Sequence, residues 1–302
     1  MRFQFTDDQR VLKAATRELL ERVCPAEVLR AALAGSPGLD RRVWAALGEA
    51  GVFALRLPEE TGGVGLGRVE AVLVFEELGR ALVPGPLVAT HLAAGVVPGA
   101  ATGERVVARE DGGLVAWLAA ADAVVTADSG GAPVDTSRGV PLRSLDPLTP
   151  LHRVPPGGEA AGWDVEGALL VAAEQLGTAA RVTDLAVRYA KEREQFGRPV
   201  GAFQAVKHLC ADMLVRTEVA RAALYGAAVT GDRVEVAGAK LLADDAAVRG
   251  ARDCLQVHGG MGFTWEADVH LHLKRAWVRA RMRPRAAEAE EVQAQALTVA
   301  SL

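Results

Sequence analysis

The chain has 302 residues, 50% of them hydrophobic, and a net charge of −4. This length suggests about two domains, and a negative chain has no electrostatic reason to bind a nucleic-acid backbone. The three cysteines form no CxxC pair, which is typical of a reducing compartment. Because we find no secretory signal and no uninterrupted apolar run of about 18 residues, the sequence predicts a cytoplasmic protein without a membrane partner.

Helical patterns dominate the first third of the chain. Residues 6–9 have capping-box spacing and begin one predicted helix, and residues 40–50 form a second. A glycine-rich loop at residues 59–67 separates these helices from a third. We therefore predict an N-terminal helical domain over residues 1–103.

The pattern changes over residues 104–162. Short apolar runs alternate there with Gly, Asp, Ser and Pro, which indicates strands and turns. A stretch of about 50 residues is enough for a small sheet but not for a full barrel. We predict a reduced β domain in this part of the chain.

The helical period returns after Trp163 and continues through three long predicted helices. Apolar residues at helical spacing mark the first over residues 169–189, and the others cover residues 202–228 and 232–257. Long helices joined by short loops are typical of an up-down bundle. The sequence thus predicts a mainly α fold with a C-terminal helical bundle domain over residues 163–302.

Two motifs invite interpretations that we do not favour. The glycines at residues 63–67 are similar to a dinucleotide fingerprint, but that motif requires a βαβ unit and both neighbours here are helical. A helix-to-helix turn explains them better. The Cys and His pairs within residues 254–258 and 270–272 have no third ligand near them in sequence, so we predict no metal site.

Two segments at helix ends are better candidates for a binding site. Residues 193–204 place two arginines in a turn before a helix, an arrangement that suits a phosphate or pyrophosphate. Residues 256–263 end a helix with glycines that allow a ligand to approach the backbone, and Gln256 offers both a donor and an acceptor. Spacing alone leaves open a solvated turn at the first segment and a simple helix stop at the second.

Three stretches together resemble the acyl-CoA dehydrogenase family, along almost the whole chain. Residues 57–65 (LPEETGGVG) are similar to the PEExGGxG loop of that family. Residues 193–204 (REQFGRPVGAFQ) are similar to its RxxFGxxxxxxQ segment, and residues 256–262 (QVHGGMG) to its QxxGGxG segment. Each match is modest, but their order and separations together make the resemblance specific.

The resemblance implies a fold, an activity, a cofactor and partners. It implies an N-terminal helical domain, a middle β domain and a C-terminal four-helix bundle, with FAD bound between subunits. The implied activity is α,β-desaturation of an acyl-CoA thioester, with an electron-transfer acceptor as a further partner. The cofactor contacts that it implies are Arg193, which would contact the pyrophosphate, together with Phe196, Gln204, Gln256, Gly259 and Gly260.

The sequence departs from the family in two places: the part of the middle domain that packs against the flavin ring, and the catalytic base. The family's T-E-P-x-x-G-S-D stretch and its tryptophan segment are missing between residues 104 and 163. Arg283 stands near the position of the glutamate in the family's Tyr-Glu-Gly-Thr segment, and an arginine cannot remove a proton at pH 7. Some members place the base at the start of the first C-terminal-domain helix, where Glu166 is a candidate although the register puts Gly167 there. A solvated glutamate favoured by the helix dipole is the alternative for Glu166, and Glu174 is a weaker candidate.

Three hypotheses stay open at this point. The shortened middle, residues 262–266 and the missing base are most similar to small subunits of heteromeric (α2β2) bacterial acyl-CoA dehydrogenases that act on steroid side-chain thioesters. In those enzymes a second, longer subunit supplies the base and the small one helps to bind FAD. The alternatives are a self-sufficient homo-oligomeric dehydrogenase that uses Glu166 and a non-catalytic scaffold subunit.

Overall fold

The computed structural model describes residues 4–34, 39–126, 136–155 and 163–300. Its N-terminal part is helical, as predicted. Thr6 caps the first helix, because its hydroxyl accepts a hydrogen bond from the backbone N–H of Gln9 (3.2 Å) and the Gln9 side chain accepts one from the Thr6 N–H (3.0 Å). The helices are α1 (Asp7–Val23), α2 (Ala26–Ala34), α3 (Arg41–Glu49), α4 (Arg68–Arg80) and α5 (Leu87–Ala93).

The middle of the chain forms two small sheets, in agreement with the predicted reduced β region. A parallel pair joins the first and third strands, and the second, fifth and fourth strands form an antiparallel sheet in that order. The strands are β1 (Val107–Arg109), β2 (Leu114–Ala116), β3 (Ala123–Val125), β4 (Val140–Leu142) and β5 (Leu151–Arg153).

The C-terminal part confirms the three long helices. The first begins earlier than its apolar pattern, because the Asp164 carboxylate accepts hydrogen bonds from the backbone N–H groups of Glu166 (3.0 Å) and Gly167 (3.1 Å) and so caps the helix. The helices are α6 (Val165–Glu192), α7 (Gln204–Thr230), α8 (Arg233–His258), α9 (Val269–Arg279) and α10 (Ala286–Ala300).

Helix α6 lies at the centre of the fold and packs against α4, α7 and α8. Glycine allows the closest of these approaches: a Cβ atom on Gly177 of α6 would lie 1.9 Å from the carbonyl oxygen of Glu76 on α4. The α4–α6 crossing therefore holds the N-terminal and C-terminal helices in one core. Within the described ranges, no helix combines the length and the apolar character needed to cross a bilayer.

A buried ion pair ties the middle region to α9. The Arg275 guanidinium donates to the Asp146 carboxylate, which is 0% exposed. Burial alone would raise the pKa of Asp146, but the charge of Arg275 and hydrogen bonds from Thr149 and Arg275 outweigh it and hold that pKa below its usual range. This pair, with the bond from Arg275 to the Leu148 carbonyl, holds residues 146–148 against α9.

Candidate functional site

The 193–204 segment forms a small hairpin between α6 and α7. Strands β6 (Glu194–Gln195) and β7 (Arg198–Pro199) pair antiparallel, and Phe196 and Gly197 form the turn with φ values of 54° and 73°. Two successive positive φ values suit a two-residue hairpin, and glycine adopts them at little cost. Phe196 does so under strain, and its side chain is 90% exposed. Within the chain the ring contacts Phe203, with centroids 6.1 Å apart.

Two polar side chains of this segment, those of Arg193 and Gln204, are exposed. Arg193 is exposed at the end of α6, and its guanidinium makes no hydrogen bond or ion pair with any residue that the structure describes. Its backbone is fixed, because its N–H donates to Tyr189 O (2.8 Å) and its carbonyl accepts from Val200 N–H (2.7 Å). Gln204 is exposed as the first residue of α7. An anchored backbone with an unpaired guanidinium suits an anionic ligand.

The backbone of the 256–263 segment is accessible at its two adjacent glycines. Helix α8 ends at His258, and a 3-10 turn follows from Gly259 to Phe263. A Cβ atom added to Gly259 or Gly260 would meet no other atom within 4 Å, so a ligand has room to approach both residues. Gln256 is exposed, and so is the ring of Phe263.

The structure brings the two segments together. Tyr189, one turn before Arg193, stacks on His258 with ring centroids 4.1 Å apart, and its hydroxyl donates to the His258 carbonyl (3.4 Å). Burial lowers the pKa of His258, and its Nδ1 lies 2.8 Å from the Cys254 carbonyl. Tyr189 therefore links the end of α6, where Arg193 is unpaired, to the residue that precedes the open glycine turn. These residues fit a dinucleotide such as FAD, whose pyrophosphate needs a cation and backbone room.

Glu166 is engaged by two arginines that the sequence analysis did not single out. Arg56 Nη1 donates to its Oε2 (2.6 Å), and Arg68 Nε donates to its Oε1 (2.7 Å). Both carboxylate oxygens thus accept charge-assisted hydrogen bonds. These two bonds hold the Glu166 carboxylate against residues of its own chain.

The other two positions considered for the base are also occupied by ion pairs. Glu174 is 5% exposed, and its Oε1 accepts from Arg279 Nη2 (2.9 Å). Arg283 donates from Nε to Glu288 Oε1 (2.8 Å). A carboxylate that sequence reasoning missed, Asp111, accepts from the Arg283 backbone N–H (3.3 Å), and burial raises its pKa. No sequence signal marks Asp111, because only the fold brings it to Arg283.

A small cavity lies beside the Arg56–Glu166 pair. Its volume is about 230 Å³, and Phe53, Leu57 and Leu92 form part of its wall. This is less than the roughly 300 Å³ at which small-molecule sites begin. Among the residues that the structure describes, no group of three or more His, Cys, Asp or Glu side chains is placed to hold a metal ion.

Comparison with known proteins identifies the family. The acyl-CoA dehydrogenase N-terminal domain matches residues 6–105, and the acyl-CoA dehydrogenase C-terminal domain matches residues 165–300. Acyl-CoA dehydrogenase IpdE2 of Mycolicibacterium smegmatis is 35% identical over 288 residues, which cover 90% of this chain and 93% of the relative. Acyl-CoA dehydrogenase FadE34 of Mycobacterium tuberculosis is 40% identical over 284 residues, which cover 80% of this chain but 40% of the relative.

Similarity to solved structures points to the same family. The chain superposes on one from the ChsE4–ChsE5 complex of Mycobacterium tuberculosis with a TM-score of 0.84 and 26% identity, over 99% of both chains. The chain therefore belongs to the acyl-CoA dehydrogenase family, whose cofactor is FAD. The family, the enzyme class and the mainly α fold predicted from the sequence are confirmed. The roles of the individual site residues stay predictions.

Proposed function

We propose that the chain is the FAD-binding subunit of a heteromeric acyl-CoA dehydrogenase, and that a partner subunit supplies the catalytic base. One observation carries the proposal: the unpaired Arg193 lies one helical turn from Tyr189, which stacks on His258 immediately before the open Gly259–Gly260 turn. A guanidinium that is unpaired and held on a fixed backbone is ready to bind a pyrophosphate that approaches from outside the chain.

The reaction divides between cofactor and protein. When bound, FAD supplies the acceptor for the hydride that leaves the β-carbon of the acyl group. Arg193 would bind the pyrophosphate, Gln204 and Gln256 would hold the cofactor by hydrogen bonds, and Gly260 would give it room at the backbone. The α-proton must go to a carboxylate or another base.

Three observations support a base outside this chain. The position at which the family's glutamate is expected carries Arg283, which is paired with Glu288. Glu166 is bonded to two arginines, and Glu174 is buried against Arg279. Each carboxylate considered as a base is thus already engaged.

The comparisons with known proteins also support a partner subunit. The region of FadE34 that matches this chain covers 40% of FadE34. The rest of that protein is additional sequence that accompanies the matching region. The ChsE4–ChsE5 structure is that of a complex of two differently named components.

The substrate class follows from the same resemblance. We propose an acyl-CoA thioester with a steroid side chain as its acyl group, and an electron-transfer protein as the acceptor that reoxidises the flavin. Purified complex should reduce an artificial dye with such a thioester faster than with a short straight-chain acyl-CoA. Equal rates with both would remove the steroid part of the proposal and leave the rest standing.

The decisive test is flavin binding by the assembled enzyme. The chain is co-expressed with a longer acyl-CoA dehydrogenase subunit, and FAD affinity is measured by flavin fluorescence. Arg193→Ala should weaken binding about tenfold or more, because a charge-assisted contact contributes about 1.5–3 kcal/mol. Arg249→Ala is the matched control, since Arg249 is an exposed arginine that pairs with Asp245 on its own helix. Equal affinity for both variants would refute the assignment of Arg193.

The alternatives predict different results. If the chain is self-sufficient, the purified chain alone will reduce dye in the presence of an acyl-CoA, and Glu166→Gln will abolish that activity. If it is a scaffold, the complex that carries Arg193→Ala will keep both its flavin and its activity.

A further inference from the structure

A second cavity, of about 500 Å³, lies between the α1–α2 corner and helices α4, α6 and α9. This volume is within the range of small-molecule sites. Part of its wall is apolar, since Leu20, Leu29, Leu82, Leu185 and Val269 line it. His258 is the one residue of the 193–204 and 256–263 segments in this wall, so the cavity adjoins the surface proposed to bind FAD at that residue alone.

The charged part of the wall has unpaired cations. Four arginines line the cavity, and two of them, Arg17 and Arg80, are paired with acids. The other two, Arg181 and Arg188, make no ion pair or hydrogen bond with the described part of the chain. They lie seven residues apart on α6, two turns along one face and roughly 10 Å apart along the axis. Burial lowers the pKa of Arg181, and the charges of Arg80 and Arg188 lower it further.

The nearby acids offset the charge of these two arginines only in part: Asp184 and Asp268 raise the pKa of Arg181, but neither forms an ion pair with it. Glu77 accepts from Arg17 Nε (2.9 Å) and Nη2 (2.8 Å), so its carboxylate is occupied. Asp268 lies 3.6 Å from an arginine of α2, and Glu21 is exposed to solvent. The cavity therefore keeps an excess of positive charge on its α6 side.

An independent observation also indicates a ligand. His272 lines the same cavity and is 4% exposed, and its Nδ1 has no hydrogen-bond partner among the described residues. A buried nitrogen without a partner costs about 1–3 kcal/mol, so such groups are normally satisfied. Burial and the neighbouring arginines hold the pKa of His272 well below its usual range, so the ring is neutral. A neutral imidazole can exchange a hydrogen bond with a ligand without adding charge.

We propose that this cavity binds a small amphipathic anion, with its carboxylate or phosphate group between Arg181 and Arg188 and its apolar body against the leucines. The two guanidinium groups can each donate paired hydrogen bonds to an oxyanion, and the apolar wall suits a short hydrocarbon chain. The site involves no flavin chemistry and stands whether or not the proposed function is correct.

The test is isothermal titration calorimetry of the 302-residue chain with octanoate, octyl phosphate and 1-octanol. At least one of the two anions should bind saturably, and the tighter one identifies the head group. The neutral alcohol should bind at least about tenfold more weakly, because it lacks the charge-assisted contacts. No saturable binding of either anion, or equal binding of the alcohol, would overturn the proposal.

Matched variants test the residues. Arg188→Gln should weaken anion binding about tenfold or more, and its exposed position leaves the fold intact, as circular dichroism would verify. Glu21→Gln removes an acid from the same wall and should leave binding unchanged or strengthen it. If Arg188→Gln and Arg181→Gln both bind the anion as tightly as the unaltered chain, the arginines are not the site and the proposal fails.

Discussion

Replacing Arg275 with methionine should be among the most destabilising single changes on α9. Its guanidinium bonds to the buried Asp146 carboxylate and also donates to the carbonyls of Val83 (3.2 Å) and Leu148 (3.3 Å). Methionine fills similar space but leaves Asp146 with only its bonds from Thr149 Oγ1 (2.6 Å) and the Leu148 N–H (2.9 Å). An uncompensated buried charge of this kind typically costs about 3–5 kcal/mol of unfolding free energy.

The sign of the pH dependence makes this prediction specific. In the native pair the folded pKa of Asp146 lies below its unfolded value of 3.8, so its contribution is present above that value and lost as the pH falls through the folded pKa. In the Arg275→Met variant only the hydrogen bonds from Thr149 and Leu148 oppose burial, which then raises the folded pKa above 3.8. The contribution of Asp146 to the free energy of unfolding is then fully present only below the unfolded pKa, and it is lost as the pH rises through the folded pKa. The free-energy difference between the two proteins should therefore shrink as the pH falls toward 3.8.

Urea unfolding followed by circular dichroism measures both quantities. Arg249→Met is the control, because the Arg249–Asp245 pair is solvent-exposed, with side chains 63% and 47% accessible. Loss of such a pair costs at most about 1 kcal/mol. The reasoning is refuted if Arg275→Met costs no more than Arg249→Met, or if its cost grows as the pH falls.

Three further predictions concern the helix crossing and the candidate site. Gly177→Ala should destabilise the chain by at least about 2 kcal/mol in urea unfolding, because its Cβ would lie 1.9 Å from the Glu76 carbonyl oxygen. Gly226→Ala, where a Cβ meets nothing within 4 Å, should stabilise the chain by about 0.5–1 kcal/mol, and equal effects of the two would contradict the close crossing. Glu166→Gln in the complex should change dye reduction less than about tenfold, whereas loss of a true base lowers the rate about 10²–10⁴-fold. Gly260→Leu should lower FAD affinity without lowering the unfolding temperature, and unchanged affinity would mean that no cofactor approaches that turn.

Local signals predicted the helices well. Thr6 and Gln9 make the capping box that their spacing predicts, and the apolar periodicity located all three long C-terminal helices. These features depend on residues within a few turns of each other, so the sequence contains them directly. The hairpin at Phe196 was not predicted, since its two strands have only two residues each.

Long-range partners could not be predicted. Arg56 and Arg68 reach Glu166 from 110 and 98 residues away, and only the fold shows that this glutamate is engaged. The motifs located both segments of the candidate cofactor site, but the stacking of Tyr189 on His258 that brings them together joins residues 69 positions apart. Such contacts depend on how α6 and α8 pack, which no local pattern encodes.

The most direct test of the account is a structure of the chain in complex with its partner subunit and FAD. We predict that the pyrophosphate lies within hydrogen-bonding distance of Arg193 and that the cofactor passes the Gly259–Gly260 turn where two chains meet. A complex with FAD bound elsewhere, or with these two segments covered by protein and no cofactor between them, would contradict the account.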